Sequence, residues 1–261
     1  MPFTISHAAA VLPFSRQLAR WRLLGATVIG SMVPDFGFLL PWRPARVETH
    51  SAVALLTFCV PVGLATFWIF QRLIKTSVLE ILPDAAYTRW QPWAAPADIG
   101  SIKQWLLAAG GIAVGALTHL IWDAFTHEGA RGVRMIPALD DPLVDIAGHH
   151  LVGTRFLQDV SSLLGLAVVL AVVAYGLRGS QGGGLAIVRR LRPAERYLWI
   201  AAYAVVAALL AGLFMVIRRP FGGHSVALLL GNLAIAVLRG FAAALVVVSL
   251  ALVLRLRANP V

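Results

Sequence analysis

Five stretches of this chain, approximately residues 52–71, 105–126, 160–177, 198–217 and 226–254, are apolar for eighteen residues or more. A bilayer core takes roughly 20 residues of helix to cross. Inside it no water is present to satisfy a peptide group, so each such stretch must bond its own backbone, as a helix does. The composition agrees. The chain is 59% apolar and 13% charged, with a mean hydropathy of +0.80. A soluble domain is about 45–50% apolar and about 25% charged. These values exclude an ordinary soluble domain and a disordered one. The expected fold class is all-α, a polytopic transmembrane helical bundle with five long spans.

The N-terminal region is ambiguous. Leu23–Leu40 is nearly as apolar as the spans but contains Asp35, and Phe3–Phe14 is only half a span long. Two arrangements fit. Either Leu23–Leu40 is a sixth span, or residues 6–15 and 23–35 form a re-entrant helical hairpin with Arg16, Arg20 and Arg22 near its turn. No cleavable signal peptide is evident. The chain is read in two parts: a motif-bearing membrane domain at 1–165, and C-terminal spans at 166–261 that include a basic, glycine-containing loop at 178–197.

The net charge is +10. Because the basic residues sit between apolar blocks, they point to membrane lipids as partners and not to nucleic acid. With a sixth span, fourteen Lys and Arg fall on one side and seven on the other. By the positive-inside tendency the richer side is cytoplasmic. The expected location is therefore a cell membrane, crossed several times. The single cysteine, Cys59, excludes a disulfide framework and a cysteine-based zinc site. Any metal would be held by His, Asp or Glu.

Ionisable groups inside apolar segments are costly, so their positions are informative. The strongest cluster is HLIWDAFTH at 119–127. His119 and Asp123 are four apart and His127 four further, so all three lie on one face of a helix. An imidazole and a carboxylate one turn apart can hold one ion. With Lys103 at the inner end, His119 lies about 24 Å along the helix, at the outer interface. Asp35, between Pro34 and Gly37, and His50, which opens the next span, come to the same level. His7 reaches it only in the hairpin arrangement, because a sixth span leaves it on the opposite face. Arg239 lies sixteen residues before Arg255, also near the outer interface.

MPFTISHAAAVLP, IGSMVPDFGFLL, ETHS and GALTHLIWDAFTHEG together resemble a family of bacterial integral-membrane proteins with MPFT-x-SH and THxxWDxFTH motifs. That family is similar in turn to membrane-bound metal-dependent hydrolases. The order His, Asp, His, then His-x-x-x-Asp is also similar to zinc-dependent phospholipase C. There the order holds a cluster of zinc ions that hydrolyse phosphoesters, and the matching positions here are His7, Asp35, His50, His119 and Asp123. The likeness is incomplete. His127 comes three residues early, His149 and His150 lack the His-x-x-x-Glu partner, and no N-terminal tryptophan ligand is present. The resemblance therefore implies one or two ions and not three.

The expected site is His50, His119, Asp35 and Asp123, with His7 and His127 completing a second position. A divalent metal, Zn²⁺ by its His/Asp donor set, would activate a water and polarise an ester. Glu128, or one of Asp140, Asp141 and Asp145, could serve as general base; these acids are otherwise ordinary loop residues. Gln158 and Asp159 open the next span and could orient the ligands or simply form a helix end. Arg131 and Arg239 could hold an anionic headgroup, and Arg239 is otherwise an arginine reaching the lipid headgroups. His224 is read as incidental. The expected function is a metal-dependent hydrolase acting on a lipid or lipid-linked (phospho)ester at the outer interface. The alternatives are a structural metal site or a transporter.

Overall fold

The computed structural model of the chain describes residues 4–40, 44–94, 99–146, 149–178, 190–217 and 226–258. The fold is all-α and polytopic. Five helices are long and apolar enough to cross a membrane: Ala52–Ile81, Ile102–Thr126, Gly153–Gly176, Pro193–Ile217 and Leu229–Ala258. The helices are α1 (Ser15–Arg20), α2 (Leu24–Gly30), α3 (Arg46–Thr49), α4 (Ala52–Ile81), α5 (Asp84–Ala94), α6 (Ile102–Thr126), α7 (Arg131–Met135), α8 (Gly153–Arg178), α9 (Pro193–Ile217) and α10 (Val226–Ala258). One feature departs from the all-helical expectation. Strands β1 (Pro142–Ile146) and β2 (His149–Val152) pair antiparallel, with Val144 opposite Leu151. The apolar residues Leu143, Val144, Leu151 and Val152 favour extended backbone in a ribbon too small to change the class. Arg43, residues 179–189 of the basic loop, Arg218, Arg219 and His224 lie outside the described residues.

The chain divides into two compact units. The first comprises Met1–Gly37, Pro44–Phe67 and Asp98–Tyr175, and the second Phe38–Arg43, Trp68–Ala97 and Gly176–Val261.

In the first unit the N-terminal region is a helical hairpin. Its first arm runs through a 3₁₀ segment, Thr4–Ala10, into α1, and its second is α2 followed by a 3₁₀ segment, Val33–Phe38. Arg22 closes the turn with a left-handed φ of 59°. The two arms meet again at their far ends, where the Thr4 hydroxyl donates to Asp35 at 2.8 Å. Of the two expected arrangements, the hairpin is the one found.

Two glycines bring α2 against α6. A Cβ on Gly115 would lie 2.1 Å from the Thr27 carbonyl oxygen, and one on Gly30 would lie 2.3 Å from that of Ile112. The backbones touch because neither residue has a side chain. The Leu23 carbonyl lies against Gly111, roughly 14 Å along α6 from its start. The hairpin turn therefore stops part-way along the spanning helix.

Helix α6 begins with reciprocal capping: Ser101 Oγ accepts from the Gln104 N–H, and Gln104 Oε1 accepts from the Ser101 N–H. It ends where His127 becomes extended and Gly129 turns at φ 67°.

In the second unit, Leu191, Leu252 and Leu256 form a core with Ile81 and Trp199 packed against it. Along α9 no residue is buried, and Leu198 and Leu209 are 70% and 67% exposed. Apolar surface of that extent suits contact with lipid.

Candidate metal centre

Four local structures deliver the centre, all in the first unit. The first arm of the hairpin carries His7, and the 3₁₀ turn after α2 carries Asp35. His50 stands at the break between α3 and α4. It ends α3 with φ −121°, and Ser51 starts the next helix by accepting from the Ala54 N–H at 3.0 Å. That break turns His50 inward. His119 and Asp123 come from one face of α6. His7 and His119 are each 1% exposed, Asp123 4% and Asp35 5%.

The donor atoms lie around two centres. His7, His119 and Asp123 bring ligating atoms within 4.8 Å of one another, and so do Asp35, His50 and His119. His50 Nε2 is 3.5 Å from Asp35 Oδ1 and 3.6 Å from Asp123 Oδ2. His119 Nε2 is 3.8 Å from Asp35 Oδ1 and 3.5 Å from Asp123 Oδ2. A tetrahedral Zn²⁺ with ligands at 2.0–2.1 Å has donor–donor edges of roughly 3.3–3.4 Å. The four His-to-Asp edges are close to that length, and of these residues Asp35, His50 and His119 form the triad within 4.8 Å, with Asp123 beside the two imidazoles.

The nitrogen that faces inward is set from behind. His119 Nδ1 lies 2.8 Å from the Ser31 carbonyl oxygen, which only accepts, so Nδ1 carries a proton and Nε2 is the nitrogen turned to the centre. The Thr49 hydroxyl donates to the Arg46 carbonyl at 3.3 Å and accepts from His50 Nδ1 at 2.6 Å, which turns His50 Nε2 to the centre as well. These are the backing hydrogen bonds that metal-ligating imidazoles make. On the inner side, His50 Nε2, His119 Nε2, Asp123 Oδ1 and both nitrogens of His7 are buried without a hydrogen-bond partner. Imidazole nitrogens and carboxylate oxygens buried together without hydrogen-bond partners are costly unless a proton or a cation lies between them.

The His7 ring stacks on that of His119 with centroids 3.8 Å apart, and Trp122 meets it edge-on at 5.5 Å. Burial, and then the charge of His119, push the His7 pKa down to about 4. His7 is thus neutral near pH 7, the form that binds metal. His7 Nε2 is 3.7 Å from Asp123 Oδ1.

His127 Nδ1 lies 3.5 Å from Asp123 Oδ1, and its side chain is 21% exposed. It belongs to neither triad of donors and sits at the edge of the centre. Its other nitrogen is 3.4 Å from the Gln158 amide, the orienting contact expected for Gln158. Burial chiefly pushes its pKa down, Asp123 pulling the other way and the Arg46 charge adding to the fall.

The remaining expected residues fall elsewhere. Glu128 is exposed on the turn after His127, and Arg131 is exposed at the start of α7. Asp140 accepts from Thr154, and Asp159 pairs with Arg155 at 3.1 Å. Arg239 is in the second unit, where its guanidinium donates to the carbonyls of Phe38 and Leu40 at 2.7 and 2.8 Å.

Sequence reasoning missed Arg46. It was counted only among the outer-side charges, yet its Nη2 is 2.7 Å from Asp123 Oδ2. Its spacing of four residues from His50 was the available signal. Thr4, Thr49 and the Ser31 carbonyl were also missed. No periodicity marks a backbone acceptor or a single hydroxyl.

The fold and site define a polytopic helical membrane protein with a buried His/Asp cluster at one end of a spanning helix. Residues 1–250 match the family described as a domain of unknown function, DUF4184, and the chain belongs to that family. It matches no curated protein and no solved structure.

Proposed function

We propose that the centre binds one or two divalent ions, Zn²⁺ by its donor chemistry, and that the protein is a membrane-embedded hydrolase of a lipid or lipid-linked (phospho)ester. The observation that carries this is the pair of buried His/Asp donor triads that share His119, with the inward imidazole nitrogens lacking a hydrogen-bond partner. Asp35 Oδ1, His50 Nε2 and His119 Nε2 would hold one ion, with Asp123 Oδ2 beside them. Because His119 Nε2 can bind only one ion, a second would rest on His7 Nε2 and Asp123 Oδ1, with His127 at the edge of the centre. Such an ion supplies a Lewis acid and an activated water. Ser31 and Thr49 set which imidazole nitrogens face inward, and Trp122 packs the edge of His7. Glu128, exposed beside His127, is the group for taking up a proton, and Arg131 is near in sequence for an anionic headgroup.

The site is assigned to the outer face of the cell membrane. With the hairpin in place, Arg16, Arg20 and Arg22 leave the inner-side tally. That leaves eleven basic residues against seven, still favouring the same orientation.

One observation favours a second reading, a structural metal site. With Asp123 Oδ2 drawn in beside its triad, the first position would have four protein donors, and structural zinc sites are closed in this way. The second position shares His119 with the first, so it has fewer donors of its own, and the partly exposed His127 lies at its edge, which supports catalysis. Metal analysis of purified wild type, His119→Ala and Asp123→Ala tests the centre. Equal metal content in all three, or none in wild type, removes it. Hydrolysis of lipid substrates that depends on added Zn²⁺ and is lost with chelator separates the two readings. Stoichiometric metal without hydrolysis selects the structural one.

A further inference from the structure

Asp123 Oδ2 is claimed twice. It faces His50 Nε2 at 3.6 Å and His119 Nε2 at 3.5 Å, and it accepts from Arg46 Nη2 at 2.7 Å. A carboxylate oxygen can do both, but coordination weakens it as a hydrogen-bond acceptor. Arg46 would then have donors to give elsewhere.

Its placement suits another acceptor. Arg46 begins the single turn α3 that ends in the ligand His50. Its carbonyl accepts the His50 N–H at 2.7 Å and the Thr49 hydroxyl at 3.3 Å. The backbone of Arg46 is thus fixed to the ligand loop, while its side chain is 49% exposed against 5% for Asp123. One end of the guanidinium touches the centre and the rest faces out. A guanidinium offers five N–H donors in a planar fork that matches phosphate oxygens.

Charge points the same way. Asp35 and Asp123 are the only carboxylates in the two donor triads among the described residues. With one divalent ion and Arg46 the formal sum is +1, and with two ions it is +3. A buried site of that sign favours an anionic ligand over a neutral ester.

We propose that Arg46 is the anion-recognition residue of this centre, binding a phosphate-type oxyanion. This rests on the metal reading above, and it narrows the substrate to one that carries such a group.

The test uses the full chain in detergent, with zinc content and affinity measured first and inorganic phosphate binding second. Arg46→Ala is expected to keep zinc at wild-type stoichiometry, with affinity equal or up to about tenfold tighter, because a competitor for Oδ2 is gone. Phosphate affinity is expected to fall at least tenfold and to recover in part in Arg46→Lys, which restores charge but not the fork. Opposite movement of the two ligands is a signature that a merely structural role would not give.

Unchanged phosphate affinity in Arg46→Ala overturns the proposal. So does loss of zinc in step with phosphate, which would make Arg46 a support for Asp123. Wild type without zinc overturns the metal reading and this one with it, and is seen in the first measurement. A competition arm identifies the source of the oxyanion. Displacement of phosphate by phosphatidic acid alone assigns a lipid phosphate, and equal displacement by glycerol phosphate assigns a soluble one. Either result supports the Arg46 site, and displacement by neither overturns it.

Discussion

The two units treat buried polarity in opposite ways. In the second, the polar side chains of the spans find partners. Ser77 donates to the Ser249 carbonyl at 3.1 Å, and the Tyr203 and Ser249 hydroxyls pair at 2.8 Å. Arg239, 3% exposed, is held by two backbone carbonyls. Two single atoms there, Trp90 Nε1 and Arg196 Nε, lack a partner, but they do not converge on anything. In the first unit, five buried donor and acceptor atoms on four residues lack hydrogen-bond partners, and these residues come together. Paired polar groups hold helices together. Converging unpaired ones indicate a ligand.

This contrast can be broken by experiment. The largest effect is expected at the centre itself: Asp123→Ala, which touches both ion positions, should reduce metal affinity more than a hundredfold as measured by metal analysis, while Arg239→Met leaves metal content unchanged. Arg239→Met should instead lower thermal stability in detergent, by about 2–4 kcal/mol, since it leaves buried carbonyls without their charged donor. Equal metal loss in the two variants would erase the distinction between the units.

Next, Gly115→Ala should push α2 off α6 at a cost of about 1–3 kcal/mol. Because α2 carries the chain to Ser31 and Asp35, metal affinity should fall with stability. A stable variant with reduced affinity would show that the hairpin positions the centre. Thr49→Val removes the acceptor behind His50 and should weaken zinc binding about 10–100-fold. Thr49→Ser should restore it, and failure of that rescue would mean the hydroxyl does not orient the imidazole.

The smallest effect concerns pH in chelator-treated protein. The folded His7 pKa is depressed to about 4 from an ordinary 6.5. Between those values the unfolded chain binds more protons than the folded one, so stability falls as pH drops through that window. Thermal unfolding of wild type at pH 7 and pH 5 should show the loss, and His7→Phe should flatten it.

Several parts of this protein were legible in the sequence. The five spans follow from run length alone, since a helix satisfies its backbone locally. The facing of His119 and Asp123 follows from helical periodicity. Asp35 and His50 were readable as acids and bases at the same depth. Other parts were not. The β1–β2 ribbon carries no such signal, because its apolar residues are few. His127 was grouped with the ligands because four-residue spacing puts it on the right face. The helix ends there, and the extended backbone leaves it at the edge.

The sequence by itself determined the helical membrane class and one His/Asp pair, because both depend on neighbours within a turn or a run. Only the tertiary structure decided that residues 4–38 fold back as a hairpin, that His7 reaches Asp123, and that Arg46 donates to Asp123 Oδ2. The reason lies in distance along the chain. A hairpin is settled by glycine contacts between segments some 85 residues apart, Gly30 with Ile112 and Gly115 with Thr27. Which nitrogen His119 turns to the centre is settled by a carbonyl 88 residues away.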